Sequence, residues 1–109
     1  MKSVILSADG DSVVYGVPDQ VAEHLEEYCI HFCDHWLRTS PHAQKYRFKE
    51  GPAEPQGEQG FCYNEADFIE YLNQYVFPEE PSVMIENLGW IEWEKDLPEK
   101  YRELPYFNF

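Results

Sequence analysis

Two short apolar runs near the amino terminus flank a turn dipeptide. The runs are Val4-Ile5-Leu6 and Val13-Val14-Tyr15, and Asp9-Gly10 lies between them. Because Asp-Gly tolerates the positive φ angles of a type I′ turn, the pattern predicts a β-hairpin over residues 2–16. A two-residue loop fixes the register and places one face of the hairpin against the first helix. The paired positions are Val4 with Tyr15, Ile5 with Val14, and Leu6 with Val13.

Apolar residues then recur at helical spacing over residues 18–38. Proline suits the first turn of a helix, so we expect the helix to begin at Pro18 and to run to about Arg38. At about 100° per residue, one face collects large apolar side chains and the opposite face collects acids. This pattern predicts the central core helix. Its apolar face consists of Val21, Leu25, Tyr28, Cys29, Phe32 and Trp36.

A second amphipathic helix is predicted after residue 64. Asn64 suits the N-cap, Asp67 is placed to return the bond, and Pro78 prevents continuation. Its apolar stripe, expected to be buried, consists of Phe68, Tyr71, Leu72, Tyr75 and Val76.

The remaining segments complete a single α+β domain over residues 1–109. The stretch at about residues 50–60 is rich in Gly and Pro and predicts a mobile loop, which Phe61-Cys62-Tyr63 follows as a short strand. A shorter third helix is expected from about Pro81 to Leu88, with Gly89 as its left-handed cap. The expected fold is therefore an amino-terminal β-hairpin packed on two main helices, with that third helix and an irregular aromatic carboxy-terminal segment.

Charge narrows the range of partners. The 109 residues include 21 acidic and 8 basic side chains, a formal net charge of −13. Residues 50–109 hold 14 acids and 3 bases, so −11 of that charge lies in the second half. This half repels nucleic acid and anionic membranes, which disfavours direct binding to either. The acidity is explained by solubility alone or by a basic partner surface.

The cysteine count indicates the compartment. Cys29, Cys33 and Cys62 form an odd set with no secretory signal ahead of them, so a disulfide framework is not expected. The apolar run at residues 4–6 is too short for a signal sequence, and no stretch approaches the roughly 20 apolar residues of a membrane span. These features predict a cytoplasmic protein.

Several segments of the chain carry a resemblance. Residues 4–12, 17–23, 68–73 and 107–109, together with Phe77-Pro78, are similar to short, acidic, uncharacterised bacterial proteins. The likeness spans most of the chain. It implies a bacterial cytoplasmic origin and supplies no catalytic residue.

The first helix contains the sharpest candidate for chemistry. His31 and His35 stand at i and i+4, the separation that places two imidazoles on one face for zinc. Cys29 and Cys33 repeat that spacing but point away from the histidines, so the two pairs cannot share one tetrahedral ion. A histidine site would need a third ligand from elsewhere. We therefore expect border histidines and no bound metal or other cofactor.

Catalytic motifs are absent from the sequence. It contains neither a nucleophile elbow nor a glycine-rich phosphate loop, and its acidic residues are too numerous for any one pair to be informative. An enzyme is not the favoured interpretation, and no residue is assigned a catalytic role.

Acidic and aromatic residues alternate near the end of the chain. Aromatic anchors within an acidic rim are typical of a protein interface, because the rings supply binding energy and the carboxylates steer a basic partner. The alternative is that both tryptophans complete the core. The residues assigned to partner binding are Glu86, Trp90, Glu92, Trp93 and Glu94.

Together these observations predict a non-enzymatic, acidic interaction protein that binds a basic protein surface. Inhibitors, immunity proteins and DNA mimics act in this way. The alternative is a small metal-binding protein or metal-dependent enzyme that uses His31 and His35. The sequence does not determine the identity of the partner or the oligomeric state.

Overall fold

The computed structural model describes residues 1–46 and 63–109, with side chains described for residues 1–43 and 63–109. The loop predicted at residues 50–60 and the first two residues of the strand predicted at 61–63 lie outside the described residues. Tyr63 is described and is not part of a strand.

A four-stranded sheet forms the centre of the fold. Its strands are β1 (Lys2–Ser7), β2 (Ser12–Val17), β3 (Val83–Gly89) and β4 (Tyr106–Asn108). They lie in the order β3-β2-β1-β4. β2 runs antiparallel to both β1 and β3, whereas β4 runs parallel to β1. The fold class is α+β, as the sequence predicts.

The register predicted for the hairpin is confirmed. Val4, Ile5 and Leu6 pair with the partners that the two-residue loop requires. The turn itself differs from type I′, which needs positive φ at both central residues. Asp9 has a φ of 55°, but Gly10 does not adopt a positive φ.

The first helical region is segmented. It consists of α1 (Asp19–Glu23), α2 (Leu25–His31), a π-helical turn (Phe32–Trp36) and α3 (Leu37–Thr39). The helix breaks at His24, where φ is −130° and ψ is 39°. The predicted apolar face still packs inward, because Val21, Cys29 and Phe32 are fully buried.

The second helical region begins at the predicted residue. α4 (Glu65–Tyr71) continues into a π-helical turn (Leu72–Val76). The Asn64 side chain accepts a hydrogen bond from the Asp67 N–H at 3.2 Å, and the Asp67 carboxylate accepts one from the Asn64 N–H at 2.9 Å. The predicted capping box is therefore present.

Removing this cap should lower stability measurably. We expect Asn64→Ala to cost about 1 kcal/mol, because an N–H in the first turn loses its acceptor. Asn64→Ser is the matched control, since serine also caps well and should stay close to the parent. Urea unfolding of the two variants provides the comparison. Equal losses would show that the cap bond contributes nothing.

The prediction of a third helix from about Pro81 to Leu88 is wrong, because Val83–Gly89 forms the edge strand β3. The Asn73 side chain fixes Ser82, the residue just before the strand. Its Oδ1 accepts from the Ser82 N–H at 2.7 Å, and its Nδ2 donates to the Ser82 carbonyl at 3.2 Å. These bonds fix the chain beside the open edge of β2. Gly89 has the expected left-handed conformation, with a φ of 73°, but it ends a strand.

Both faces of the hairpin strands β1 and β2 are covered, whereas most of β3 is exposed. On one face, the helices and the hairpin form the larger core, in which Phe32 and Phe68 are the largest fully buried side chains. On the other face, a carboxy-terminal segment packs on Ile5 and Val14. This covering segment, residues 93–104, contains α5 (Trp93–Asp96) and a 3-10 turn (Glu99–Tyr101). The segment expected to be irregular is thus the second outer layer of the fold.

Within the described residues, the helices are too short or too polar to cross a membrane.

Candidate functional site

A groove of about 360 Å³ opens beside the hairpin turn. Trp90, Trp93 and Tyr106 line it together with Asp9 and Asn108. We call this feature the aromatic groove. It joins the hairpin turn, the stretch from the loop after β3 to the start of the carboxy-terminal covering segment, and β4, so three separate parts of the chain build it.

Trp90 is the most exposed large apolar side chain among the described residues. It is 84% exposed and follows Gly89 directly. The Gly89 N–H donates to Asn87 Oδ1 at 2.8 Å, and its positive φ redirects the chain at the end of β3. Such a φ is strained for residues with a Cβ. Gly89 therefore carries Trp90 out of the strand and into solvent.

Trp93 forms a fixed wall of the groove. Its Nε1 donates a hydrogen bond to Ser12 Oγ at 2.9 Å. Its ring lies 4.7 Å from that of Tyr106, measured between centroids, with 70° between the planes. The side chain also packs against the Ile5 and Val14 core. The two predicted tryptophans therefore differ in their environment. Trp93 is anchored and half-buried, whereas Trp90 is exposed to solvent.

A polar network holds the hairpin turn at the groove. Asn108 Oδ1 accepts from the Ser7 hydroxyl at 2.8 Å and from the Asp9 N–H at 2.9 Å. Asn108 Nδ2 donates to Asp9 Oδ1 at 2.9 Å. These bonds stabilise the positive φ of Asp9 and hold this residue in the lining of the groove. The sequence analysis did not select these residues, although Asp9-Gly10 marked the turn.

The predicted acidic residues do not line the groove. Glu86 accepts a hydrogen bond from the Tyr101 hydroxyl at 2.6 Å, and this bond raises the pKa of Tyr101. Glu92 Oε2 lies 3.5 Å from Lys95 Nζ, and the Glu94 side chain is exposed. Glu86 thus contacts the covering segment. Glu92 lies just before α5 and Glu94 lies within it, and both carry negative charge.

The helix histidines lie close together on the surface. The rings of His31 and His35 have centroids 4.8 Å apart, and both side chains are exposed. No group of three or more His, Cys, Asp or Glu residues suited to a metal occurs in residues 1–46 and 63–109. Cys29 is fully buried, and burial raises the pKa of its thiol. The cysteine therefore belongs to the core and stays protonated.

Alanine substitution at either histidine should leave the fold intact. We expect the free energy of unfolding of His31→Ala and His35→Ala to stay within about 0.5 kcal/mol of the parent, because exposed side chains contribute little. Urea unfolding and metal analysis of the untreated protein provide the measurements. Stoichiometric zinc or iron that either substitution removes would contradict this expectation and support a metal-dependent function.

Comparison of the chain with protein-family models, with curated proteins and with solved structures gave no match. The function is therefore inferred from the residues of the aromatic groove and from the negative charge of the chain.

Proposed function

We propose that the chain is a non-enzymatic interaction protein of the bacterial cytoplasm that binds a basic protein surface, as inhibitors, immunity proteins and DNA mimics do. One observation carries the proposal: Trp90, which belongs to the strongly acidic half of the chain, is 84% exposed at the aromatic groove. Tryptophan is enriched among the residues that dominate binding energy at interfaces, and exposing it to water without a partner is unfavourable.

The charge distribution favours a basic partner. Residues 50–109 carry a formal charge of −11, so their field attracts cationic surfaces and repels nucleic acid and anionic lipid. Attraction of this kind speeds the encounter more than it strengthens the final complex. Glu92 and Glu94 are well placed for this role, since both are exposed close to Trp90 in the chain.

The groove also favours tight contact once the partner arrives. Trp93 is already held by the hydrogen bond that it donates to Ser12, and Asp9 by the one that it accepts from Asn108. A surface that is fixed before binding loses little conformational freedom on association. Trp90 is then the side chain that becomes buried, and Trp93 is the wall against which it packs.

Kinetic measurements on a captured partner test the proposal. A partner is retained from a bacterial lysate at low salt, identified, purified and measured at several ionic strengths. We expect the association rate to fall steeply as salt rises past 0.1 M, where the screening length is about 10 Å. Neutralising Glu92 and Glu94 to glutamine should slow association, whereas Trp90→Ala should speed dissociation.

A matched control separates local steering from total charge. Glu79 and Glu80 are also exposed but lie further from Trp90 in the chain than Glu92 and Glu94 do, and neutralising both changes the net charge equally. We expect the Glu92/Glu94 variant to slow association more than this control. The proposal would be overturned by an association rate that does not change with salt concentration, or by captured partners that are all acidic. The acidity would then be explained by solubility alone.

A further inference from the structure

The aromatic groove combines ring faces with a carboxylate, an arrangement that suits an organic cation. We propose that it binds the guanidinium group of an arginine side chain. This inference rests on the proposed function for the source of the arginine, which is the basic partner protein. The groove itself supplies the argument for the chemistry.

Two aromatic side chains meet at an angle in the lining of the groove. The Trp93 and Tyr106 rings stand at 70° to each other with centroids 4.7 Å apart, so they form a corner. Tyr106 is 63% exposed, and Trp90 adds a third, freely accessible ring. A cation within about 6 Å of a ring centroid is attracted by the negative face, most strongly by tryptophan. A flat cation in this corner can contact more than one ring.

Asp9 supplies the matching negative charge. It is exposed, and its Oδ1 accepts the Asn108 amide. Its Oδ2 has no hydrogen-bond partner within the described part of the chain. A guanidinium N–H can therefore donate to this oxygen while the planar group stacks on one of the rings. Charge-assisted bonds of this type are stronger than neutral ones.

The size and fixed geometry of the groove are consistent with one side chain. Its volume of about 360 Å³ lies at the lower end of the range for small-ligand sites, about 300–1,000 Å³. Ser12 and Asn108 hold Trp93 and Asp9 in place before any ligand arrives. The chain therefore orders few groups when the cation binds.

Guanidinium fits these features better than other organic cations. It is planar, is more weakly hydrated than an ammonium group, and stacks on aromatic faces. A lysine ammonium is compact and strongly hydrated, so it gains less from the rings. A quaternary ammonium has no N–H to donate to Asp9. The combination of aromatic rings and a carboxylate thus selects arginine.

Titration of the full chain with small cations tests the inference without any partner. The probe is N-acetyl-arginine amide at low ionic strength, observed by NMR at the indole N–H signals of Trp90 and Trp93. We expect saturable shifts of both signals. N-acetyl-citrulline amide has nearly the same shape without the charge, and it should give no saturable shift. N-acetyl-lysine amide and tetramethylammonium should bind more weakly than arginine.

Variants locate the binding site. Asp9→Asn keeps an oxygen for Asn108 and tolerates a positive φ, yet it removes the charge. We expect it to weaken arginine binding about two- to fivefold, as we expect for Trp90→Ala, observed at Trp93. Asp34→Asn makes the same charge change at an exposed site outside the groove and should leave the affinity unchanged.

The outcomes separate this inference from the proposed function. The arginine site is overturned if citrulline, lysine or tetramethylammonium matches arginine, if no shift saturates, or if Asp9→Asn behaves like Asp34→Asn. A salt-dependent complex with a basic partner would still support the proposed function in that case. Conversely, arginine binding by a chain whose captured partners are all acidic would overturn the proposed function alone.

Discussion

Replacing Phe32 with alanine is expected to destabilise the protein by about 3–5 kcal/mol. Phe32 is fully buried at the centre of the larger core. Among the described residues, five other aromatic rings lie within about 6 Å of its ring, measured between centroids, so truncation leaves a cavity that neighbours cannot easily fill. These rings belong to Trp36, Tyr63, Phe68, Tyr71 and Phe109.

Urea unfolding measures this loss, and Ile30→Ala is the matched control. Ile30 lies two residues earlier in the same helical region but is 42% exposed, so its truncation should cost much less. A loss below about 1 kcal/mol for Phe32→Ala would contradict the placement of Phe32 in the core.

The second large effect is expected on the opposite face of the sheet. Ile5 is 1% exposed beneath the covering segment and packs with Val14, Leu97 and Tyr101. We expect Ile5→Ala to cost about 2–5 kcal/mol, because this small core has little material with which to close a cavity.

Val83→Ala is the control for Ile5→Ala, since Val83 also lies in a strand but is 53% exposed. Its loss of stability should be well below that of Ile5→Ala in the same urea experiment. Equal and small losses would show that residues 93–104 do not form a stable layer on the sheet.

Local signals in the sequence were sufficient for some elements. The register of β1 and β2 follows from alternating apolar residues and a short turn, both of which act over a few positions. The capping box at Asn64 likewise depends on residues three positions apart. In each case the interaction that stabilises the element lies within the pattern that predicts it.

The identity of β3 depends on a distant partner. Residues 81–88 contain too few apolar positions to distinguish a short helix from a strand. The strand forms because β2 has an open edge and Asn73 holds Ser82 beside it. Neither influence is visible within the segment.

The second π-helical turn explains why the predicted burial of Tyr75 is wrong. A stripe at 3.6-residue spacing predicts that Tyr75 is buried, but it is 44% exposed. The Phe77 N–H donates to the Leu72 carbonyl at 2.7 Å, five residues back, so this turn is wider than an α-helical one. Positions within it are displaced from the regular spacing. Ile69, which the stripe omitted, is buried.

The candidate site was predicted in part. The segment around Trp90 and Trp93 was selected because acidic and aromatic residues alternate there. Asp9, Tyr106 and Asn108 reach the same groove only because β4 pairs with β1. No local pattern encodes that pairing, so three of the groove residues could not be assigned from the sequence.

The parallel pairing of β1 with β4 also sets an order for folding. Ser7 and Asn108 are bonded although 101 positions separate them, and closing so long a loop costs chain entropy before the new contacts compensate. On the ribosome, the hairpin is synthesised long before β4. We therefore expect the aromatic groove to be completed last, so that a nascent chain ending before Tyr106 lacks the proposed binding surface even when its helices have formed.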